Sequence, residues 1–336
     1  MKSLDHYWDS IYFISILLLP LSVLFYLISR VRQFLYVTKI IKSFKASVPV
    51  VVVGNISVGG TGKTPLIIEL VKQLQSKGKK PAVISRGYGG RASSWPQVVG
   101  DNTSAKQVGD EPQLIFQQTR CPVVVGPNRK DDIEYLLKSF ECDVILSDDG
   151  MQHYALQRDI EICVIDAEKK FGNGLFIPAG PMRESQSRLK SVDLVLYNGG
   201  NNNCRSFNMK PLQCVPVVNE TLDDNLRNKA LPKVDLEFFS DKTVHAVVAI
   251  GNPQRFFNML KDYNITIIPH VFNDHHAYQS SDLVFDDDLH VLMTEKDAVK
   301  CVGMNLPNHW SVPVEILLNE NAQTKVNEIF NSLFKI

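Results

Sequence analysis

The chain has 336 residues, with 36 basic against 36 acidic side chains and a formal net charge of zero; this excludes the basic excess that a general nucleic-acid binder gathers on one face. Apolar residues make up 44% and charged ones 21%, with 19 Gly and 17 Pro, which excludes a disordered, collagen-like or disulfide-framework chain. The length calls for two domains, and the six cysteines (Cys121, Cys142, Cys163, Cys204, Cys214 and Cys301) form no C-x-x-C pair, so a reducing compartment and no zinc centre are expected.

No residue from Ser10 to Ser29 is charged, and Ile11 to Ile28 reads IYFISILLLPLSVLFYLI. As a helix this run is about 27 Å long, close to the ~30 Å hydrocarbon core of a bilayer. Pro20 removes a backbone hydrogen bond at its middle, so a full span and a bent insertion into one leaflet both fit. Asp5, Asp9 and the length of the run do not fit a cleaved signal peptide, and the segment reads as a retained anchor. Arg30, Arg32, Lys39, Lys42 and Lys45 follow it, which places the rest of the chain in the cytoplasm by the positive-inside rule. Phe34, Val37, Ile41 and Phe44 recur at helical spacing opposite Arg32, Lys39 and Lys42; this pattern predicts an interfacial amphipathic helix on anionic headgroups as far as Lys45.

Val48 to Val53 is a β-branched run of the kind buried in a parallel sheet, and it leads through Gly54, Asn55 and Ile56 into Ser57-Val58-Gly59-Gly60-Thr61-Gly62-Lys63-Thr64 and an apolar helix. Strand, Gly-rich loop, Gly-Lys-Thr and helix form the context of a phosphate loop. There, backbone N–H groups cradle phosphates, Lys63 bridges the outer phosphates and the Thr64 hydroxyl ligates Mg²⁺. Ser57 stands at the first glycine of the strict pattern, so the loop is the Gly-Gly-x-Gly-Lys-Thr variant.

Further strands end in polar groups, as strands of a doubly wound sheet do at a ligand crevice. Ala82–Ser85 is followed by Arg86 and Tyr88, Pro122–Gly126 by Asn128 and Arg129, and Asp143–Ser147 by Asp148 and Asp149. The last resembles a Walker B element, one acid holding Mg²⁺ and the other free for another task. Asp110 opens a helix, where an N-cap role is equally consistent with its position, and Pro178 to Glu184 is a rigid turn presenting Arg183 and Glu184. The α/β pattern resumes beyond a polar stretch, with strands at His245–Ile250, Ile265–Ile268 and Val291–Met293, a His275-His276 pair, and Thr294-Glu295-Lys296-Asp297, which reads equally as a capped helix start. The domains expected are an anchor and interfacial helix over 1–46, a P-loop domain over 47–200, linker strands over 201–240 and a second α/β domain over 241–336. The fold class expected is α/β, a P-loop NTPase-like parallel-sheet lobe plus a smaller α/β lobe behind an N-terminal anchor.

Taken in order, Gly54-Asn55 with Gly59 to Pro65, Ser85 to Gly89, Val108 to Pro112, Asp148 to His153, Pro178 to Glu184 and Thr294 to Lys300 resemble the tetraacyldisaccharide 4'-kinases, the lipid A kinases of Gram-negative bacteria. Met151 and Met182 stand where Phe or Leu is expected, a volume-conserving difference. The resemblance implies transfer of the ATP γ-phosphoryl group, with Mg²⁺, to the 4'-hydroxyl of an acylated glucosamine disaccharide 1-phosphate at the cytoplasmic face of the inner membrane, with no nucleic acid and no obligate protein partner. Asp110 is then the general base aided by His275, with Asp149 as its orienting or charge-tuning partner. Lys63, Arg129 and Arg183 stabilise the transferred group, Thr64 and Asp148 hold Mg²⁺ with Glu184 behind them, and Arg86 and Tyr88 contact nucleotide or substrate. Two other readings stay open on the residues alone: a membrane-associated P-loop switch ATPase acting on a protein partner, and a soluble small-molecule kinase.

Overall fold

The computed structural model describes residues 7–200, 204–217, 233–304 and 306–334. Asp5, the end of the polar stretch at 201–203 and most of the expected linker, 218–232, lie outside the described residues. Helix α1 (Phe13–Val37) is followed by β1 (Val50–Gly54), α2 (Lys63–Ser76), β2 (Pro81–Ser85), β3 (Gln97–Val98), α3 (Ala105–Val108), α4 (Asp110–Thr119) and β4 (Val123–Val125). Next come α5 (Arg129–Ser139), β5 (Val144–Asp148), β6 (Ile160–Asp166), β7 (Leu194–Asn198), β8 (Ser206–Pro211) and β9 (Val215–Pro216). The chain ends with β10 (Thr243–Val248), α6 (Pro253–Asp262), β11 (Thr266–Val271), β12 (His290–Thr294), α7 (Glu295–Ala298), β13 (His309–Val312), β14 (Val314–Leu318) and α8 (Glu320–Phe334).

Two compact units emerge, one of residues 1–86, 128–208 and 317–336, the other of 87–127 and 209–316. In the first, the strands run β14-β8-β7-β6-β1-β5-β2, with β1 parallel to both β5 and β6. Val50 to Val53 are at most 1% exposed, which is why this strand has no polar alternation: both faces are covered. The register pairs Val53 with Asp148, so the strand that opens the phosphate loop and the strand that ends in two acids finish side by side.

The second unit carries a sheet ordered β11-β10-β12-β13-β9, parallel except for β9. Phe256, Phe257 and Leu260 of α6 pack with Val244, Ala246 and Val248 of β10 into one of its cores, as the i, i+1, i+4 spacing of the helix dictates. The units cut the chain elsewhere than the boundaries read from sequence. Residues 87–127, expected with the phosphate loop, belong to the second unit, where α4 is tied by side-chain pairs to residues 274–296: Asp110 to His275, Glu111 to Lys296 and Gln118 to Glu295.

Helix α1 is long and apolar enough to cross a membrane by length and composition, and it is continuous through Pro20. It stops at Val37, not Lys45 as the amphipathic spacing predicts. Lys39 takes a left-handed φ of 58°, and Phe44 is instead extended, its N–H donating to the Ala155 carbonyl at 2.7 Å and its carbonyl accepting from Gln157 N–H at 2.8 Å. One face of α1 and the residues before it lie along the first unit: Trp8 Nε1 donates to the Pro178 carbonyl at 3.1 Å, the Tyr26 ring meets Phe176 with centroids 4.6 Å apart, and Tyr36 stacks on Tyr154. The remaining faces present Phe13, Leu17, Leu24, Ile28 and Val31 to the outside.

Candidate active site

In the first unit the loop between β1 and α2 bends through Gly59 (φ 120°) and Gly62 (φ 90°), a left-handed backbone that L side chains rarely adopt. Gly62 is the N-cap of α2 and Lys63 its first residue, so the loop delivers its N–H groups to a helix N-terminus, the fixed positive end that favours phosphate. Two carboxamides hold the loop: Asn55 Nδ2 donates to Thr61 Oγ1 at 3.3 Å and Asn198 Nδ2 to the Thr61 carbonyl at 3.0 Å.

Lys63 and Arg183 converge on one carboxylate. Asp149 Oδ1 lies 3.6 Å from Lys63 Nζ and Oδ2 2.8 Å from Arg183 Nη1. Burial alone would raise the Asp149 pKa, but the two cations overcome it and hold the group at about 2, so it is an anion at every physiological pH. Its neighbour Asp148, 2% exposed, ends β5 and accepts from Ser85 Oγ of β2 at 3.0 Å. Thr64 is buried in the first turn of α2. His153 is pulled down to about 4 by burial and then by the charges of Arg129 and Arg86, and it is neutral at pH 7.

A second array lies in the second unit. Gly109 (φ 95°) places Asp110 in the first turn of α4, and the Asp110 carboxylate, 4% exposed, has both oxygens 3.0 Å from His275 Nδ1. Lys296 Nζ lies 2.9 Å from Glu111, 3.4 Å from Asp274 and 3.9 Å from Asp110. Burial works against every charge here. It would raise Asp110, yet the His275 hydrogen bond and the Lys296 charge bring that carboxyl below its ordinary value. It would lower His275 and Lys296, yet Asp110 lifts the imidazole, and Glu111, Asp110 and Asp274 lift the ammonium. The ring of Tyr88, which is 64% exposed, sits 4.9 Å from that of His275.

Comparison with known proteins supplies the family. Residues 14–332 match the family described as Tetraacyldisaccharide-1-P 4'-kinase. The chain belongs to that family. It is 45% identical over 331 residues to the tetraacyldisaccharide 4'-kinase of Pseudoalteromonas translucida, covering 98% of this chain and 97% of that one. It is 47% identical over 301 residues to the one from Psychromonas ingrahamii, covering 89% and 90%. Among solved structures it is similar to LpxK from Aquifex aeolicus in complex with ATP, with a TM-score of 0.76 and 25% identity over 96% of this chain and 99% of that chain.

Within this family frame, three expected roles meet different geometry. Arg129, expected on the transferring phosphoryl group, is 5% exposed, and its guanidinium donates to Asp132 Oδ2 at 3.3 Å and to the Asp148 carbonyl at 3.2 Å; it braces the end of β5 from within. Glu184, expected behind the metal, accepts from Gln152 Nε2 at 3.0 Å and pairs with Arg188 Nε at 3.3 Å, so both of its oxygens face protein donors. Within the first unit Asp149 joins Lys63 to Arg183, and within the second the partners of Asp110 are His275 and Lys296. Asp110 is not the N-cap of its helix, a place taken by Gly109.

Arg86 is exposed at the end of β2. Lys296, Glu111 and Ser85 were missed as site residues although all three lie in motifs the sequence made visible. Thr294 does cap α7, accepting from Asp297 N–H, and that local explanation of the motif hides the reach of Lys296 toward α4.

Proposed function

We propose that the enzyme transfers the γ-phosphoryl group of ATP to the 4'-hydroxyl of a tetraacyldisaccharide 1-phosphate at the cytoplasmic face of a Gram-negative inner membrane. The observation that carries this reading is the Lys63–Asp149–Arg183 array at the N-terminus of α2, in a chain of this family. Phosphoryl transfer asks for positioning and for cations around the equatorial oxygens more than for covalent chemistry. Asp149 keeps Lys63 and Arg183 together before nucleotide arrives, so little reorganisation is left for the reaction itself.

Thr64 and Asp148 are the residues that would hold Mg²⁺, which when bound would supply charge neutralisation at the outer phosphates. Among the described residues no group of three or more His, Cys, Asp and Glu gathers for a metal. Asp110 and His275 act as one base toward the acceptor hydroxyl: the carboxylate fixes Nδ1–H, and Nε2 takes the proton. The His275 hydrogen bond and then the Lys296 charge keep Asp110 ionised. Arg86 and Tyr88 are the contacts proposed for nucleotide or acceptor.

Helix α1 holds the enzyme at its lipid substrate, where confinement raises the effective acceptor concentration. Its contacts with the first unit recur from Trp8 to Tyr36, including Asn173 N–H to the Trp8 carbonyl at 2.7 Å. A perpendicular span would drag the Gly172–Gly174 turn and its polar backbone into hydrocarbon. Insertion into one leaflet, with Phe13, Leu17, Leu24 and Ile28 outward, avoids that.

The test is transfer of label from γ-labelled ATP with Mg²⁺, in detergent, to a tetraacyldisaccharide 1-phosphate. Labelled lipid is expected, and Lys63→Ala should cut its rate by about 10²- to 10³-fold. Consumption of ATP with no labelled lipid would overturn the proposal in favour of a switch ATPase.

A further inference from the structure

Ser22 interrupts the most apolar stretch of α1 and is only 3% exposed. A helical serine ordinarily bonds back to the carbonyl one turn earlier. Ser22 instead spends its hydroxyl on residues more than 150 positions away, donating to the Phe176 carbonyl at 2.8 Å and accepting from the Ala179 N–H at 2.9 Å. Both partners belong to the Phe176–Met182 turn, which has no slack: a Cβ on Gly180 would lie 2.5 Å from the Leu175 carbonyl oxygen.

That turn is bound directly to the phosphate loop. The Pro181 carbonyl accepts from Val58 N–H at 2.8 Å, Met182 bridges Ser57, and Arg183 N–H donates to the Ile56 carbonyl at 2.8 Å. A continuous hydrogen-bonded route within the first unit thus runs from the middle of the apolar helix, through one turn, to the backbone that receives nucleotide.

We infer that Ser22 is a positioning residue for nucleotide binding: α1 is part of the frame that sets the phosphate loop as well as a membrane anchor. Without the hydroxyl, the buried Ala179 N–H loses its acceptor while Phe176 O keeps Gly180 N–H. The turn then shifts to recover a partner, and Pro181 O carries the shift to Val58 N–H.

The inference rests on ATP as the nucleotide but not on the identity of the acceptor, so binding is measured apart from transfer. Full-length protein in detergent is titrated with ATP and Mg²⁺ by calorimetry, without acceptor, for the parent chain, Ser22→Ala and Ser22→Thr. Sedimentation with phosphatidylglycerol–phosphatidylethanolamine vesicles and thermal unfolding are followed in parallel. Ser22→Ala should weaken ATP binding about tenfold, the equivalent of one hydrogen bond at about 1.4 kcal/mol, with vesicle binding unchanged. Ser22→Thr, which keeps the hydroxyl, should restore the parent affinity.

ATP affinity unchanged in a folded Ser22→Ala protein would reduce Ser22 to an anchor contact and overturn the inference. Equal weakening by Ala and Thr would do the same, because the hydroxyl would then not be the operative group. A parent chain that binds ATP but labels no lipid would overturn the functional reading and leave the Ser22 result standing.

Discussion

Replacing Asp110 with Asn removes the charge that faces His275 Nδ1 while leaving an oxygen to accept its hydrogen bond. In the parent chain burial pulls the imidazole down, but the Asp110 hydrogen bond together with the charges of Asp110 and Asp274 lifts it above its ordinary value of 6.5. The base is active when Nε2 is free, so kcat/KM should rise with pH along a limb centred above 6.5. A hydrogen bond to a charged partner contributes about 1.5–3 kcal/mol, and one pKa unit corresponds to 1.36 kcal/mol; the limb should therefore fall by about 1–2 pH units in Asp110→Asn. Above the limb, kcat should be lower by about 10²-fold, because a neutral amide does not stabilise the imidazolium that forms.

The assay is initial-rate transfer to the lipid acceptor from pH 5 to 9, with His275→Gln run beside it and expected to have no such limb. A limb at the same pH in Asp110→Asn, or one that persists in His275→Gln, would refute the paired base. Stability supplies an independent sign. Through His275, whose pKa is raised, the pair stabilises the fold fully below 6.5, and this is lost as pH rises through the raised value. Through Asp110, whose pKa is depressed, it stabilises above the ordinary 3.8, and this is lost as pH falls through the lower value. The stability gap between parent and Asp110→Asn should thus be widest between those limits in urea melts.

Ser85→Ala removes the donor to Asp148 and should raise the Mg²⁺ concentration for half-maximal rate about tenfold, as loss of a group behind a metal ligand does; an unchanged Mg²⁺ titration would take Asp148 out of the metal site. Lys296→Met leaves Asp110, Glu111 and Asp274 without their shared cation and should cost about 3 kcal/mol in urea unfolding, whereas a loss below 0.5 kcal/mol, the ordinary surface effect, would show that the carboxylates manage alone. Gly109→Ala forces a Cβ to 2.8 Å from the Tyr88 carbonyl oxygen at φ 95° and should destabilise the fold by about 1–3 kcal/mol. Because it carries Asp110 with it, kcat should fall further than KM changes, and retention of parent kcat would separate this backbone from the base.

The phosphate loop, the apolar helix and the acids after β5 were legible because each is a local pattern. A β-branched run followed by Gly-Gly-x-Gly-Lys-Thr has few other uses, and Asp148-Asp149 after a buried strand is costly without cations. Arg129 shows the limit. In sequence it reads, after its strand, as a cation for phosphate just as Arg183 does in its rigid turn, and only packing separates a guanidinium held by Asp132 and the Asp148 carbonyl from one held by Asp149 beside Lys63. Lys39 shows another, since the heptad-like spacing of Phe34, Val37, Ile41 and Phe44 continues past a residue whose left-handed backbone has already ended the helix.

The sequence by itself determined the nucleotide loop, the apolar segment and the parallel α/β character, which follow from residue type at short spacing, while the reaction class rested on the order of six motifs along the whole chain. Tertiary structure alone decided which charges pair. Asp110 meets His275 across 165 positions and Ser22 meets Phe176 across 154, contacts with no periodicity to betray them. It also decided that residues 87–127 join the second unit, because hydrogen bonds and ion pairs between distant loops form only once the strands beneath them have packed.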